Sequence, residues 1–246
     1  MEHRRTRVGS FVIHSVHAGS GPPVVLLHGL SGSHSWWLKT IPALSATFQV
    51  HVPELVGFGA SRKQLRQPDI PEMAQLVGEW MAAQGLARAH LVGHSMGGQV
   101  SIHLAASSPA SIERLVLVSA SGIPRPRSVR ELGRFVTELA RPRAWTRPRF
   151  ARTLVVDALR AGPRVLALSA RYILGDDVRP LLPAIPHRTL VLWGALDALT
   201  PRAHGVEMAA ALPDARLLVL PRAAHIPMVE CPVEFNEALL DFLAEP

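Results

Sequence analysis

The chain of 246 residues has a single cysteine, Cys231. No disulfide can close within it, and nothing in it requires an oxidising compartment. Standing before Pro232 at the start of a helical pattern, Cys231 reads as packing filler rather than a reactive thiol. Long apolar runs are also missing, and none approaches the roughly 20 residues a membrane-spanning helix needs. The basic start, Met1-Glu2-His3-Arg4-Arg5-Thr6-Arg7, has no apolar stretch behind it, because Gly9, Ser10, His14 and Ser15 interrupt residues 8–16. A secretory leader is therefore not expected, and a soluble cytoplasmic protein is. No internal repeat is evident. No Cys/His cluster has metal-ligand spacing, so no metal and no organic cofactor are expected. What is abundant is apolar sequence, 48% of the chain, which argues against disorder and suffices for one full core.

Short apolar runs alternate with longer amphipathic ones. Strands are predicted at 24–27, 49–52, 90–92, 114–118, 189–193 and 216–220. Helices are predicted at 35–48, with Pro42 bending or breaking it, and at 70–84, 96–107, 202–212 and 233–243. Continuous apolar strands between helices imply a mostly parallel sheet covered on both faces, an α/β fold. Residues 11–16 alternate more and suit an antiparallel edge pair. Residues 122–186 break the rhythm. They hold no convincing buried strand, are rich in Arg and Pro, and carry helical patterns at 129–139, 150–161 and 165–173. They read as a helical insertion between two strands, dividing a core of residues 1–121 and 187–246.

Gly93-His94-Ser95-Met96-Gly97 is a G-x-S-x-G pentapeptide with a predicted strand before it and a helix after it. That order makes a nucleophile elbow: the serine occupies a strained turn, glycines two residues either side relieve crowding, and the helix aims its N-terminal amides at the site. A serine hydroxyl is a weak nucleophile at neutral pH and needs a base. Among 12 histidines, His225 has the right placement, on a loop after the strand ending near Leu220. His94 has only adjacency and is expected to point into packing. His28 is expected to be structural. Asp197, at the carboxyl end of strand 189–193, would hold the imidazole in its productive tautomer. Asp214 lies at the wrong end of its strand. The order Ser, Asp, His is the one this architecture uses. Oxyanion donors are expected from the main-chain N–H groups of Met96 and Leu30, the latter freed by the turn at Gly29. Met228 and one of Trp36 and Trp37 are expected to line an apolar pocket, with the other tryptophan in the core.

Together these residues resemble the α/β-hydrolase superfamily over nearly the whole chain. The marks are Leu27-His28-Gly29, Gly57-Phe58-Gly59-Ala60-Ser61, the elbow, Trp193 to Asp197, and His225-Ile226-Pro227. The resemblance implies that residues 122–186 form a lid over the active site. Pro53-Glu54-Leu55-Val56 departs from the family, where an Asp and then a Pro usually stand. Ala224 replaces a frequent glycine. Serine rather than aspartate at 95 argues against haloalkane dehalogenases and epoxide hydrolases, and Met96 against proline iminopeptidases. Carboxylic ester hydrolysis is the expected activity, in enzymes similar to pimeloyl-carrier methyl esterase. Perhydrolase, carbon–carbon bond hydrolase and hydrolase-like ligand receptor are the alternatives.

Net charge is +7 and is unevenly spread. Residues 122–186 hold 13 basic and 5 acidic residues, or +8, while the rest, with 13 basic and 14 acidic, is −1. A positive lid would attract an anionic or carrier-bound ester, although Arg stems also cover apolar surface. Nucleic acid is not an expected partner, because the charge follows no binding motif.

Overall fold

The computed structural model describes residues 1–124 and 147–245. Its strands are β1 (Glu2–Val8), β2 (Phe11–Ala18), β3 (Pro23–Leu27), β4 (Gln49–Pro53), β5 (Ala89–His94), β6 (Ile112–Val118), β7 (Thr189–Gly194) and β8 (Ala215–Leu220). They form one sheet in the order β1-β2-β4-β3-β5-β6-β7-β8. β1 pairs antiparallel with β2, and β2 with β4; from β4 to β8 every pairing is parallel. This is the mostly parallel α/β sheet expected from the apolar strand pattern.

The pleat explains the unbroken apolar runs within those strands. In β3, Val25 and Leu27 join one core cluster while Val24 and Leu26 join the other. β6 repeats this with Leu115 and Leu117 against Val116 and Val118, and β7 with Val191 and Trp193 against Leu190 and Leu192. Alternate side chains enter opposite layers, so both faces demand apolar residues. Helices Ile70–Ala83, Met96–Ser107 and Arg202–Ala211 supply buried residues to the first cluster, and Pro232–Ala244 to the second. Asp69 starts the first of these, its side chain accepting the Glu72 N–H at 2.9 Å.

The predicted helix at 35–48 is not continuous. A 3₁₀ turn, His34–Trp37, is capped by Ser33, and a short helix, Ile41–Leu44, follows with Pro42 in its first turn. Proline has no N–H to continue a helix that arrives from before it, so the segment breaks there. In the insertion, the described residues hold helices Pro148–Ala161 and Pro163–Gly175, joined at Gly162. The helical pattern at 129–139 lies outside the described residues.

The sheet buries histidines in apolar surroundings. His17, on β2, and His51, on β4, meet edge to face at 4.8 Å, both near Trp80. Burial pushes each down to about 4, and His90, on β5, likewise. Neither His51 ring nitrogen has a hydrogen-bond partner among the described residues. In the unfolded chain these imidazoles titrate near 6.5. Between about pH 6.5 and 4 the unfolded state therefore binds more protons, and stability falls as pH falls through that window. Thermal melts should show a lower Tm at pH 5 than at pH 7, with a shallower dependence in His51→Leu. A variant slope equal to that of the wild type would remove His51 from this account.

Candidate active site

Ser95 stands between β5 and helix Met96–Ser107 with φ +52° and ψ −115°, a region side chains rarely adopt. The glycines beside it leave no alternative. A Cβ on Gly93 would lie 2.3 Å from Ser101 Oγ, and one on Gly97 would lie 2.5 Å from the Leu27 carbonyl oxygen. The strained turn is pinned by main-chain bonds: Ser95 N–H to the Val118 carbonyl at 3.0 Å, and Ser121 N–H to the Ser95 carbonyl at 3.1 Å.

Two loops at the carboxyl ends of neighbouring parallel strands deliver the other predicted residues. Asp197 follows β7, and His225 follows β8. His225 Nε2 lies 3.1 Å from Ser95 Oγ, and its Nδ1 lies 3.0 and 3.2 Å from the Asp197 carboxylate oxygens. The structure thus brings Ser95, His225 and Asp197 into one hydrogen-bonded line. Burial alone would raise the Asp197 carboxyl, but the His225 charge, its hydrogen bond and two bonds from Thr200 outweigh it and hold the group below its usual value. Those Thr200 bonds run from its N–H at 2.9 Å and its hydroxyl at 2.7 Å. Asp197 is therefore a carboxylate at neutral pH. As an acceptor it favours the His225 tautomer that carries hydrogen on Nδ1 and leaves Nε2 free to take a proton.

The surrounding histidines are fixed in other roles. His28 donates from Nδ1 to the Gly29 carbonyl at 2.8 Å and accepts the Leu55 N–H on Nε2 at 3.0 Å. Burial lowers it to about 4. His94 donates from Nε2 to the His225 carbonyl at 2.7 Å, and burial lowers it to about 3. The loop after β3 lies against the nucleophile: a Cβ on Gly29 would sit 3.1 Å from Ser95 Cβ. The main chain of Leu30 is thereby near the elbow, where Met96 begins the helix.

Of the predicted pocket residues, Trp36 meets His94 at 5.6 Å and Phe150 of the insertion at 5.7 Å between ring centroids. Trp37 is fully buried and packs 6.2 Å from Phe235, and Met228 is fully buried in the same cluster. Glu54, at the departure from the family pattern, accepts from His34 Nδ1 at 2.7 Å and from the Ala60 N–H at 2.6 Å. Burial opposes its charge, yet these bonds pull it down to about 2. Among the described residues, no group of three or more His, Cys, Asp or Glu could hold a metal ion.

The model of the α/β hydrolase fold matches residues 22–166. The chain belongs to the α/β hydrolase fold family. As a member of it, the chain is 33% identical over 239 residues to the dihydrolipoyllysine-residue acetyltransferase component of the acetoin cleaving system from Pseudomonas putida. That match covers 91% of the chain but 64% of the relative, so the chain spans under two thirds of that protein. It is 31% identical to a 2-hydroxy-6-oxo-6-phenylhexa-2,4-dienoate hydrolase from Burkholderia cepacia, over 96% of the chain and 93% of the relative. It is 29% identical to the pimeloyl-[acyl-carrier protein] methyl ester esterase of Nitrosomonas europaea, over 91% and 96%. Among solved structures, a hydrolase from Pseudomonas aeruginosa PA01 superposes with a TM-score of 0.84 at 28% identity, over 99% of this chain and 98% of that one.

Three residues around the site went unread in the sequence. Thr200 holds Asp197, Ser121 lies 3.4 Å from Ser95 Oγ, and Glu230 accepts the Ala224 N–H at 2.6 Å beside His225. For Thr200 a cue was present, since a hydroxyl three residues after an acid can close back on it. Thr200→Val should cost about 1.5–3 kcal/mol in urea unfolding at neutral pH, as expected for a hydrogen bond to a buried charge. Thr200→Ser should recover most of that loss, and an unchanged midpoint in Thr200→Val would mean the hydroxyl contributes nothing there.

Proposed function

We propose that this chain hydrolyses carboxylic esters, with Ser95 as nucleophile, His225 as general base and acid, and Asp197 as its orienting carboxylate. The observation that carries the reading is the contact of 3.1 Å from Ser95 Oγ to His225 Nε2, continued at 3.0 Å from Nδ1 to Asp197. His225 Nε2 takes the Ser95 proton as Oγ attacks the ester carbonyl. The oxyanion is met by the Leu30 and Met96 N–H groups. Collapse expels the alcohol, which takes the proton from Nε2. Water then gives a proton to Nε2 and attacks the acyl-enzyme; collapse returns that proton to Ser95 Oγ and releases the acid. His94 and His28 do not compete as bases, since burial keeps both neutral and their bonds engage main chain.

Similarity to the methyl ester esterase supports an ester substrate, and the +8 charge of residues 122–186 supports one that is anionic or carrier-bound. The described residues hold no helix long and apolar enough to cross a membrane. A second reading, carbon–carbon bond hydrolysis, is favoured by the dienoate hydrolase, at slightly higher identity.

A panel of p-nitrophenyl esters of graded length, beside a 2-hydroxy-6-oxo-dienoate, separates these readings. Turnover of the dienoate but of no ester would select the second. Ser95→Ala should lose about 10⁵-fold or more of kcat with the fold intact, and Asp197→Asn and His225→Ala should also be crippled. Near-normal turnover by folded Ser95→Ala would end the assignment. For an anionic ester, kcat/KM should fall with salt more steeply than for a neutral ester of the same acyl chain. Equal salt responses would remove small anions from the role of the insertion.

A further inference from the structure

The nucleophile oxygen has a second neighbour besides His225. Ser121 Oγ lies 3.4 Å from Ser95 Oγ, and Ser121 is 8% exposed. Its backbone is tied to the same residue, the Ser121 N–H donating to the Ser95 carbonyl at 3.1 Å. The short segment that carries it is clamped on both sides. Upstream, Ser119 takes φ +45° and its N–H donates to the Leu192 carbonyl on β7 at 2.9 Å. Downstream, the Gly122 carbonyl accepts the Val178 N–H at 3.0 Å. A strained residue held by the strand that leads to the acid is a costly way to turn a chain. Here it sets a hydroxyl against the reacting atom.

Which oxygen donates follows from the proton inventory. Ser95 has one hydroxyl hydrogen. With Asp197 accepting from His225 Nδ1, the unprotonated Nε2 at 3.1 Å takes that hydrogen. Ser95 Oγ then has lone pairs free, and the Ser121 hydroxyl is the donor that faces them. We propose, resting on the reading of Ser95 as nucleophile, that Ser121 is a further catalytic residue: its hydroxyl donates to Ser95 Oγ and fixes the Ser95 O–H along the line to His225. Without that donor the Ser95 hydroxyl rotates about its own bond and spends less time aimed at Nε2, so acylation slows. When His225 is protonated, Nε2–H donates to Ser95 Oγ instead, and the Ser95 hydrogen turns to Ser121, which accepts. A hydroxyl can serve in both states because it is donor and acceptor at once. A distance of 3.4 Å is long for this bond, and contacts at such sites tighten as substrate closes them.

The test is the rate at which a p-nitrophenyl phosphonate labels Ser95, across pH, in wild type, Ser121→Ala, Ser121→Thr and Ser95→Ala, with melting temperature measured alongside. Labelling reports activation of the nucleophile without deacylation. The expected result is labelling slowed about three- to tenfold in Ser121→Ala, the range for one lost hydrogen bond, at an unchanged Tm. Ser121→Thr, which keeps the hydroxyl, should label near the wild-type rate. Wild-type labelling by Ser121→Ala would overturn the proposal, and so would equal slowing in the alanine and threonine variants, which would make shape rather than the hydroxyl responsible. A lowered Tm in Ser121→Ala moves the comparison to Ser121→Gly, judged by the same rates. No labelling of wild type, or equal labelling of Ser95→Ala, would overturn the nucleophile assignment itself, so the two failures are told apart.

Discussion

The site depends on one backbone constraint, the positive φ at Ser95. A non-glycine residue in such a conformation costs on the order of 1–3 kcal/mol and persists only where its surroundings over-determine it. Here they do. β5 lies in the middle of the sheet, paired in parallel with β3 and β6, so the strand cannot shift to relax the turn. The helix beyond it takes up the Ser95 carbonyl through the Gln99 N–H at 3.1 Å. Glycines at 93 and 97 permit the close passage of strand and helix. The outcome is a hydroxyl held clear of the sheet, at the edge where the loops after β7 and β8 arrive. Their residues meet Ser95 because consecutive parallel strands end on the same side.

Given that geometry, environment selects the base. His28, His94 and His225 all lie near the elbow. Burial lowers His28 to about 4 and His94 to about 3, and main-chain groups take both ring nitrogens of His28 and the Nε2 of His94. Only His225 has a carboxylate on one nitrogen and a hydroxyl on the other. The His94 ring centroid is 5.0 Å from that of His225, and the two are linked through the His225 carbonyl. The neighbour that adjacency alone would suggest as base thus hydrogen-bonds the main chain of the loop that carries the proposed one.

The sheet was legible because both layers use the same rule. Strands covered on two faces must be largely apolar, and β3 at residues 24–27, β6 at 115–118 and β7 at 190–193 are unbroken apolar runs. The elbow was legible because its cause is local: a strand, two glycines and a helix within a short span. The break in 35–48 was half visible in Pro42, while the 3₁₀ turn before it depends on the Ser33 cap. Thr200 left only the faint cue of a hydroxyl three residues after an acid, and Ser121 and Glu230 left none. Serine, threonine and glutamate are common in loops, and what distinguishes these three is which residue lies opposite after folding. Glu54 was visible only as a departure. Its meaning came with His34 and Ala60, which show a longer acidic side chain bridging two loops beside the site.

The insertion bears on the same site from two directions. Near one end, Asp157 is buried and accepts the Ser33 hydroxyl at 2.7 Å, just beyond the oxyanion loop. Near the other, Asp176 accepts from Gln99 at 2.7 Å and His103 at 2.8 Å, both on the helix that Ser95 begins. The two carboxyls differ in character: burial pushes Asp157 up, whereas the His103 and Gln99 bonds overcome burial and pull Asp176 down. Lifting the first helix away would break the Asp157–Ser33 bond and part Phe150 from Trp36, and lifting the second would break the bonds of Asp176 to Gln99 and His103. These bonds tie the described helices to the loop after β3 and to the helix Met96–Ser107. Any displacement of these helices loses those polar pairs, and only contacts worth more than them could offset the loss.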